Sequence, residues 1–239
     1  MSDPQGLSYD LFAEDYERGR AGWPSAILDG IEARQVLDLA AGTGKLTVLL
    51  VAHYEDVVAV EPLAGMRAVL ERKASGVRVL TGRAEQIPLD DASVDAVFVA
   101  EAFHWFDSHA AVREIERVLR PGGVVLVCFN EWGAFEPPIA DSARALLEET
   151  YARLPEPGGP KIQSGDWKRG FTTPFDEVAI DHEWTTDREG VAAHYLSTSA
   201  MGALSEDERL DLRERLIDRL AEVEYRLRLT ARVFRTEVP

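Results

Sequence analysis

The sequence predicts an α/β domain built on a doubly wound, mostly parallel sheet of seven strands with an antiparallel edge. Three observations carry this. Short Val-rich apolar runs recur through the first half of the chain, helix-compatible segments lie between them, and two alternating segments follow later. Apolar runs that do not alternate suit strands buried on both faces, as parallel sheets require.

In order, strands are expected over 36–39, 57–60, 77–80, 94–99 and 124–129. Between them, 45–53, 63–74 and 108–119 pattern as helices, the last stopping at Arg120-Pro121-Gly122-Gly123. Such alternation gives right-handed crossovers and puts ligands beyond the carboxyl ends of the strands, where strand order reverses. After Phe129 the pattern loosens over 130–138, then a helix is expected over 139–154 and a proline- and glycine-rich loop over 155–160. A strand is expected over 175–184. Thr186-Asp187-Arg188-Glu189 reads as a capping box, and Ser205-Glu206-Asp207-Glu208 as a stronger one opening a helix with Leu212, Leu216, Leu220 and Val223 on one face. Residues 226–238 alternate Leu227, Leu229, Ala231 and Val233 with polar neighbours, as a half-exposed strand would. The last two strands join antiparallel at an edge. Residues 1–239 are expected to form one domain, with 130–199 as the substrate elaboration and 154–170 as a lid.

A chain of 239 residues with 46% hydrophobic residues can bury a sizeable core. Lys and Arg number 26 against 42 Asp and Glu, and the net charge of -16 repels a phosphate backbone, so no nucleic-acid partner is expected. No secretory leader and no segment long enough to span a bilayer is read, which predicts a cytoplasmic protein without membrane contact. The single cysteine, Cys128, lies in an apolar run and reads as buried packing, with a thiol nucleophile as the alternative.

The most informative stretch is Asp38-Leu39-Ala40-Ala41-Gly42-Thr43-Gly44, an apolar strand that ends in small residues able to let backbone approach a ligand. Glu61, 17 residues beyond Gly44, ends the second strand where an acid can accept hydrogen bonds from both hydroxyls of a ribose. After the third strand, Gly82-Arg83-Ala84-Glu85 offers a backbone N–H and a carboxylate to the edge of an adenine. The fourth strand ends in Glu101-Ala102-Phe103-His104-Trp105-Phe106, an aromatic cluster. Thr47 stands where a dinucleotide fingerprint carries its third glycine, which argues against an NAD-dependent oxidoreductase, and the glycine spacing of a Walker loop is absent. An adenosine ligand without phosphate remains. No metal site is expected.

These residues resemble the class I S-adenosylmethionine-dependent methyltransferases, which implies a Rossmann-like fold. The likeness spans roughly 12–129. Asp38 to Gly44 is similar to the family's first motif, Glu61-Pro62 to its ribose-binding acid and following proline, Ala84-Glu85 to its adenine pair, and Leu119 to Gly123 to the turn before the fifth strand. The subgroup that looks nearest is the small-molecule type similar to trans-aconitate methyltransferase, which shares His-Trp-Phe after the fourth strand. By that resemblance Tyr16 and Arg20 would hold the methionine end, since a guanidinium matches a carboxylate. An ordinary surface helix with an ion pair is the other reading of those two. The resemblance implies S-adenosyl-L-methionine as cofactor and S-adenosyl-L-homocysteine as product. Its cofactor residues here would be Tyr16, Arg20, Asp38, Ala40, Gly42, Gly44, Glu61, Pro62, Ala84, Glu85 and Glu101. His104 suits a general base or, alternatively, a packed wall of the pocket. Phe103, Trp105 and Phe106 read as core or pocket wall, and Trp167 and Trp184 as a buried edge or as closing a substrate pocket. Ala40 in place of the motif's first glycine, Arg83 before the Ala-Glu pair and Ala21 after Arg20 depart from the family pattern. The implied function is in-line methyl transfer to a small-molecule acceptor. A non-catalytic S-adenosylmethionine-binding module is the rival from another class.

Overall fold

The structure, a computed structural model, describes residues 12–155, 166–168 and 170–238. The strands are β1 (Gln35–Leu39), β2 (Asp56–Val60), β3 (Arg78–Leu80), β4 (Val94–Ala100), β5 (Leu119–Glu136), β6 (Asp176–Thr186) and β7 (Tyr225–Glu237). The α-helices are α1 (Ala13–Gly19), α2 (Thr47–Val51), α3 (Ala64–Lys73), α4 (Ser108–Val118), α5 (Asp141–Arg153), α6 (Arg188–Leu196) and α7 (Glu206–Ile217). The sheet runs β3-β2-β1-β4-β5-β7-β6. It is parallel from β3 to β5 and antiparallel toward the β6 edge, as the sequence predicts.

Within the described residues the chain forms two compact units. One draws on 12–21, 132–155 and 181–229, the other on 22–131, 166–168, 170–180 and 230–238. The stretch 130–199 is thus shared between them. The expected 154–170 lid lies largely outside the described residues.

In the second unit, successive strand residues bury into different clusters, because side chains alternate across a strand. Leu37, Leu39, Val97, Val99, Val125 and Val127 pack with Phe103, Ile115 and Trp167. Val36, Ala96, Phe98, Leu126 and Cys128 pack with Ile27, Leu46 and Leu50. Both faces of these strands are dry, which is why their sequence shows continuous apolar runs. Strand order reverses between β1 and β4, whose Val36, Leu37 and Asp38 pair with Ala96, Val97 and Phe98. That reversal fixes where a ligand crevice belongs.

In the first unit, α5, α6, α7 and the neighbouring strand segments enclose Leu146, Leu147, Val191, Leu196, Leu212, Leu216, Leu220, Leu227 and Leu229. The α1 and α6 backbones meet closely: a Cβ on Gly19 would lie 2.3 Å from the Ala193 carbonyl carbon. Ser205 and Glu208 close the expected capping box, with Ser205 N donating to Glu208 at 2.8 Å.

Several expectations are corrected. The predicted helix 45–53 shortens to α2, because Gly42 and Gly44 hold positive φ and delay helical backbone. Asp187, rather than Thr186, caps α6 by accepting from Gly190 N at 2.8 Å. Helix α7 ends at Ile217, so Val223 leaves the leucine stripe and is 44% exposed. Strand β5 continues past Phe129 to Glu136, a stretch whose polar residues mask its strand pattern.

Candidate cofactor site

The loops after β1, β2, β3 and β4 carry most of the predicted site residues, all within the second unit. Asp38, near the end of β1, is buried and accepts a 2.6 Å hydrogen bond from Thr47 Oγ1. Burial pushes its carboxyl up to about 7; the Thr47 hydroxyl opposes this and the nearby Glu61 adds to it. Thr47 therefore does not simply lack a glycine's close contact. It uses that contact as a hydrogen bond to the strand it follows. Asp38 supports the loop through Thr47, and the five-residue α2 is too short for a dipole-driven anion site.

The chain leaves β1 through three residues in the left-handed region: Ala40 (φ 58°), Gly42 (57°) and Gly44 (81°). Only Ala40 bears a Cβ there, at the position where the family's motif carries its first glycine. Ala41 N donates to Val60 O at 3.1 Å, which ties the turn to the end of β2.

Glu61 is buried and uses both carboxylate oxygens on backbone: Oε2 accepts from Gly42 N and Oε1 from Leu63 N, each at 2.9 Å. Pro62 is exposed beside it. Helix α3 falls within the expected 63–74 segment, but two of its basic residues have a role that the sequence does not mark. Arg67 donates to the carbonyls of Glu61 (2.8 Å) and Pro62 (2.6 Å), and Lys73 donates to the Thr43 carbonyl (3.1 Å).

After β3, Ala84 is buried in the core, while Glu85 lies 3.5 Å from Arg83 and accepts from Asp107 N at 3.1 Å. After β4, Glu101 is also in the left-handed region (φ 54°) and accepts from Asn130 N at 2.8 Å. A non-glycine residue is thus held in left-handed backbone after each of the two strands that flank the order reversal. Such strain persists only where the surroundings over-determine it, as at ligand sites.

Phe103 is core, packed on Phe106, Trp167 and Phe171 with centroids 5.1 to 5.8 Å apart. Trp167 is buried with it, and Trp184 packs against the core of the first unit. His104 lies against Trp105 and Phe129, at 4.9 and 6.1 Å. Burial lowers its imidazolium to about 4, so the ring is neutral at physiological pH. Two buried polar atoms in these loops, Thr43 Oγ1 and His104 Nδ1, have no hydrogen-bond partner among the described residues. Orphan atoms of this kind cost about 1 to 3 kcal/mol each unless a ligand meets them.

Tyr16 and Arg20 belong to the first unit. The Arg20 guanidinium lies 5.4 Å from the Tyr16 ring centroid and 5.3 Å from that of Trp132, and it donates to Ser197 Oγ and O at 2.9 Å. Arg20 has no acid partner among the described residues. Those residues contain no cluster of three or more His, Cys, Asp or Glu able to hold a metal ion, and no helix long and apolar enough to cross a membrane.

Residues 37–127 match the methyltransferase domain family, a span that runs from β1 into β5. The chain is similar to an uncharacterized methyltransferase of Mycobacterium tuberculosis, 50% identical over 127 residues that cover 52% of each chain. It spans about half the length of the mycobacterial relatives it matches. It is also similar to a ubiquinone/menaquinone biosynthesis C-methyltransferase of Rubrivivax gelatinosus, 40% identical over 185 residues that cover 71% of this chain and 72% of that one. Among solved structures, a candidate type II methyltransferase from Anaeromyxobacter dehalogenans shares the fold with a TM-score of 0.63 at 23% identity, covering 91% of this chain and 97% of that one. With its β1 turn, its buried acid after β2 and these relatives, the chain belongs to the class I S-adenosylmethionine-dependent methyltransferases.

Proposed function

We propose that the chain is a cytoplasmic methyltransferase that moves the methyl group of S-adenosylmethionine to a small-molecule acceptor and leaves S-adenosylhomocysteine. The observation that carries this reading is the pair of orphan atoms, Thr43 Oγ1 and His104 Nδ1, in the loops after β1 and β4, the two strands that flank the order reversal. Strained backbone at Ala40 and Glu101 supports it. The net charge of -16 favours a small acceptor over a polyanion.

When bound, the cofactor supplies a methyl group already activated by a positively charged sulfur. The protein's task is orientation and exclusion of water, and well-held geometry can supply about 7 to 11 kcal/mol at its upper range. In this reading the small residues Ala40, Gly42 and Gly44 admit the nucleoside, with Asp38 supporting their loop through Thr47. Glu61 accepts from the ribose hydroxyls beside Pro62. Ala84 and Glu85 meet the adenine edge, and Glu101 adds a further cofactor contact. Arg20, lacking an acid partner among the described residues, takes the carboxylate beside Tyr16. His104, neutral and weakly basic, holds a reactant and takes a proton only as a secondary role, worth about 10²- to 10⁴-fold where it operates. Residues 130–199, all beyond the family match, select the acceptor, and residues 1–239 act together as one enzyme.

Calorimetric titration of S-adenosylmethionine tests the ribose assignment. Glu61→Ala should bind roughly 10- to 100-fold more weakly, the loss expected from removing hydrogen bonds to a charged acceptor. Unchanged affinity would sink it. His104→Ala should slow methyl transfer while cofactor binding survives. Incubation with cofactor and a metabolite extract should yield a compound heavier by one methylene; no such product from any acceptor would favour a binding module.

A further inference from the structure

We propose that one side of α3, formed by Arg67, Leu70 and Lys73, sets the affinity of the cofactor site by locking the loops after β1 and β2 together. The inference rests on reading those loops as the nucleoside site. Residues three apart on a helix are neighbours, so these side chains follow one another along the helix surface. Arg67 donates to the carbonyls of Glu61 and Pro62 at 2.8 and 2.6 Å. Lys73 donates to the Thr43 carbonyl at 3.1 Å. Between these two grips, Leu70 closes on Gly44, where an added Cβ would lie 3.0 Å from Leu70 Cγ.

The contacts form a closed circuit. From α3, Arg67 holds the main chain of Glu61; the Glu61 carboxylate holds Gly42 N at 2.9 Å; the adjoining Thr43 carbonyl returns to α3 through Lys73. Every link ends on backbone, so the circuit fixes main-chain positions. Gly42 and Gly44 need such fixing, because residues without a Cβ have the most backbone freedom to lose. A loop locked before binding loses less entropy when the ligand arrives. Arg67 and Lys73 are therefore positioning residues: neither has to touch the cofactor to govern how tightly it is held.

The test is calorimetric titration of both S-adenosylmethionine and adenosine, paired with thermal unfolding. Arg67→Met and Lys73→Met should each weaken both ligands by the same factor, about fivefold to tenfold, with the melting midpoint little changed. The double variant should lose far less than the product of the two, since either cut opens the circuit. Arg67→Lys should recover part of the loss, and Arg72→Met, on the same helix, should bind as the parent does. If the parent binds S-adenosylmethionine and both Met variants match it, the inference fails while the proposed function stands. Affinity lost only in step with the melting midpoint also overturns it. A parent that binds neither ligand overturns both readings.

Discussion

The two units of this chain differ in how their most buried carboxylates are held. In the unit with the β1 turn, buried carboxylates are satisfied by hydroxyl and backbone donors: Asp38 by Thr47, and Glu61 by the N–H groups of Gly42 and Leu63. In the other, arginines are the ties. Asp15 pairs with Arg209 and Arg213, Arg18 with Asp187 and Glu189, and Arg20 with the Ser197 hydroxyl and carbonyl. Carboxylates held by amides define backbone positions with little side-chain freedom, which suits a ligand cradle. Arginine ties fasten helix to helix through long side chains, and their value depends on burial.

The sharpest way to break this contrast is Asp15→Ala. Its side chain is 14% exposed and that of Arg209 is 12% exposed, so removal strands two guanidiniums in a poorly solvated place. Burial already lowers Arg209 to about 10. Stability measured by urea denaturation should fall by about 3 to 5 kcal/mol, and replacing Arg209 and Arg213 by Met in the same chain should restore part of it. A loss within the range of surface pairs would show that these ties are solvated and weak.

Next in size is the pH response, where buried Asp38 and buried His194 should oppose each other. Asp38, at about 7 in the fold against an ordinary 3.8, keeps a proton that the unfolded chain releases, so its contribution declines as pH rises from near 3.8 to 7. His194, lowered from 6.5 to about 3 by burial and then by Arg20, refuses a proton that the unfolded chain accepts. Its contribution is complete above 6.5 and is lost as pH falls toward 3. His104 behaves as His194 does. Over about pH 4 to 6.5, Asp38→Asn should make stability climb more steeply with pH and His194→Gln should flatten the climb, each by at most about 1.4 kcal/mol per pH unit. Parallel slopes in both variants would remove the distinction.

The smallest effect belongs to Ala40. Left-handed backbone costs an L-residue roughly 1 to 2 kcal/mol, and the greater freedom of glycine in the unfolded chain returns part of that. Ala40→Gly should raise stability by up to about 1 kcal/mol, whereas Ala40→Val should lower it. A destabilised Gly variant would mean that the Ala40 methyl packs usefully.

The same contrast explains what the sequence reveals. The five parallel strands are legible because both their faces are dry, and Asp38, Glu61 and Glu85 are legible because Asp38 lies near a strand end and the two glutamates follow strands. The ties of the other unit join residues 169 to 198 apart, as in Arg18–Asp187 and Arg213–Asp15, and no local pattern announces them. Arg67 and Lys73 leave no mark in the sequence for another reason: their targets are carbonyls, which every residue has. Thr47 was read only as a missing glycine, since a hydroxyl's partner is visible only in three dimensions. The short α2 and the long β5 show the limit of periodicity where turn geometry or strand pairing decides the boundary.

Cys128 has a practical consequence. It is fully buried in a strand of the parallel sheet, and burial raises its thiol well above the ordinary value. The thiolate is the reactive form, so the folded chain should be nearly silent toward alkylating reagents until the sheet itself opens. Its rate of modification is then an internal clock for the deepest opening of the cofactor unit. A cysteine introduced at Val178, 55% exposed at the sheet edge, would be the only fast-reacting thiol in the chain, ready to carry a probe.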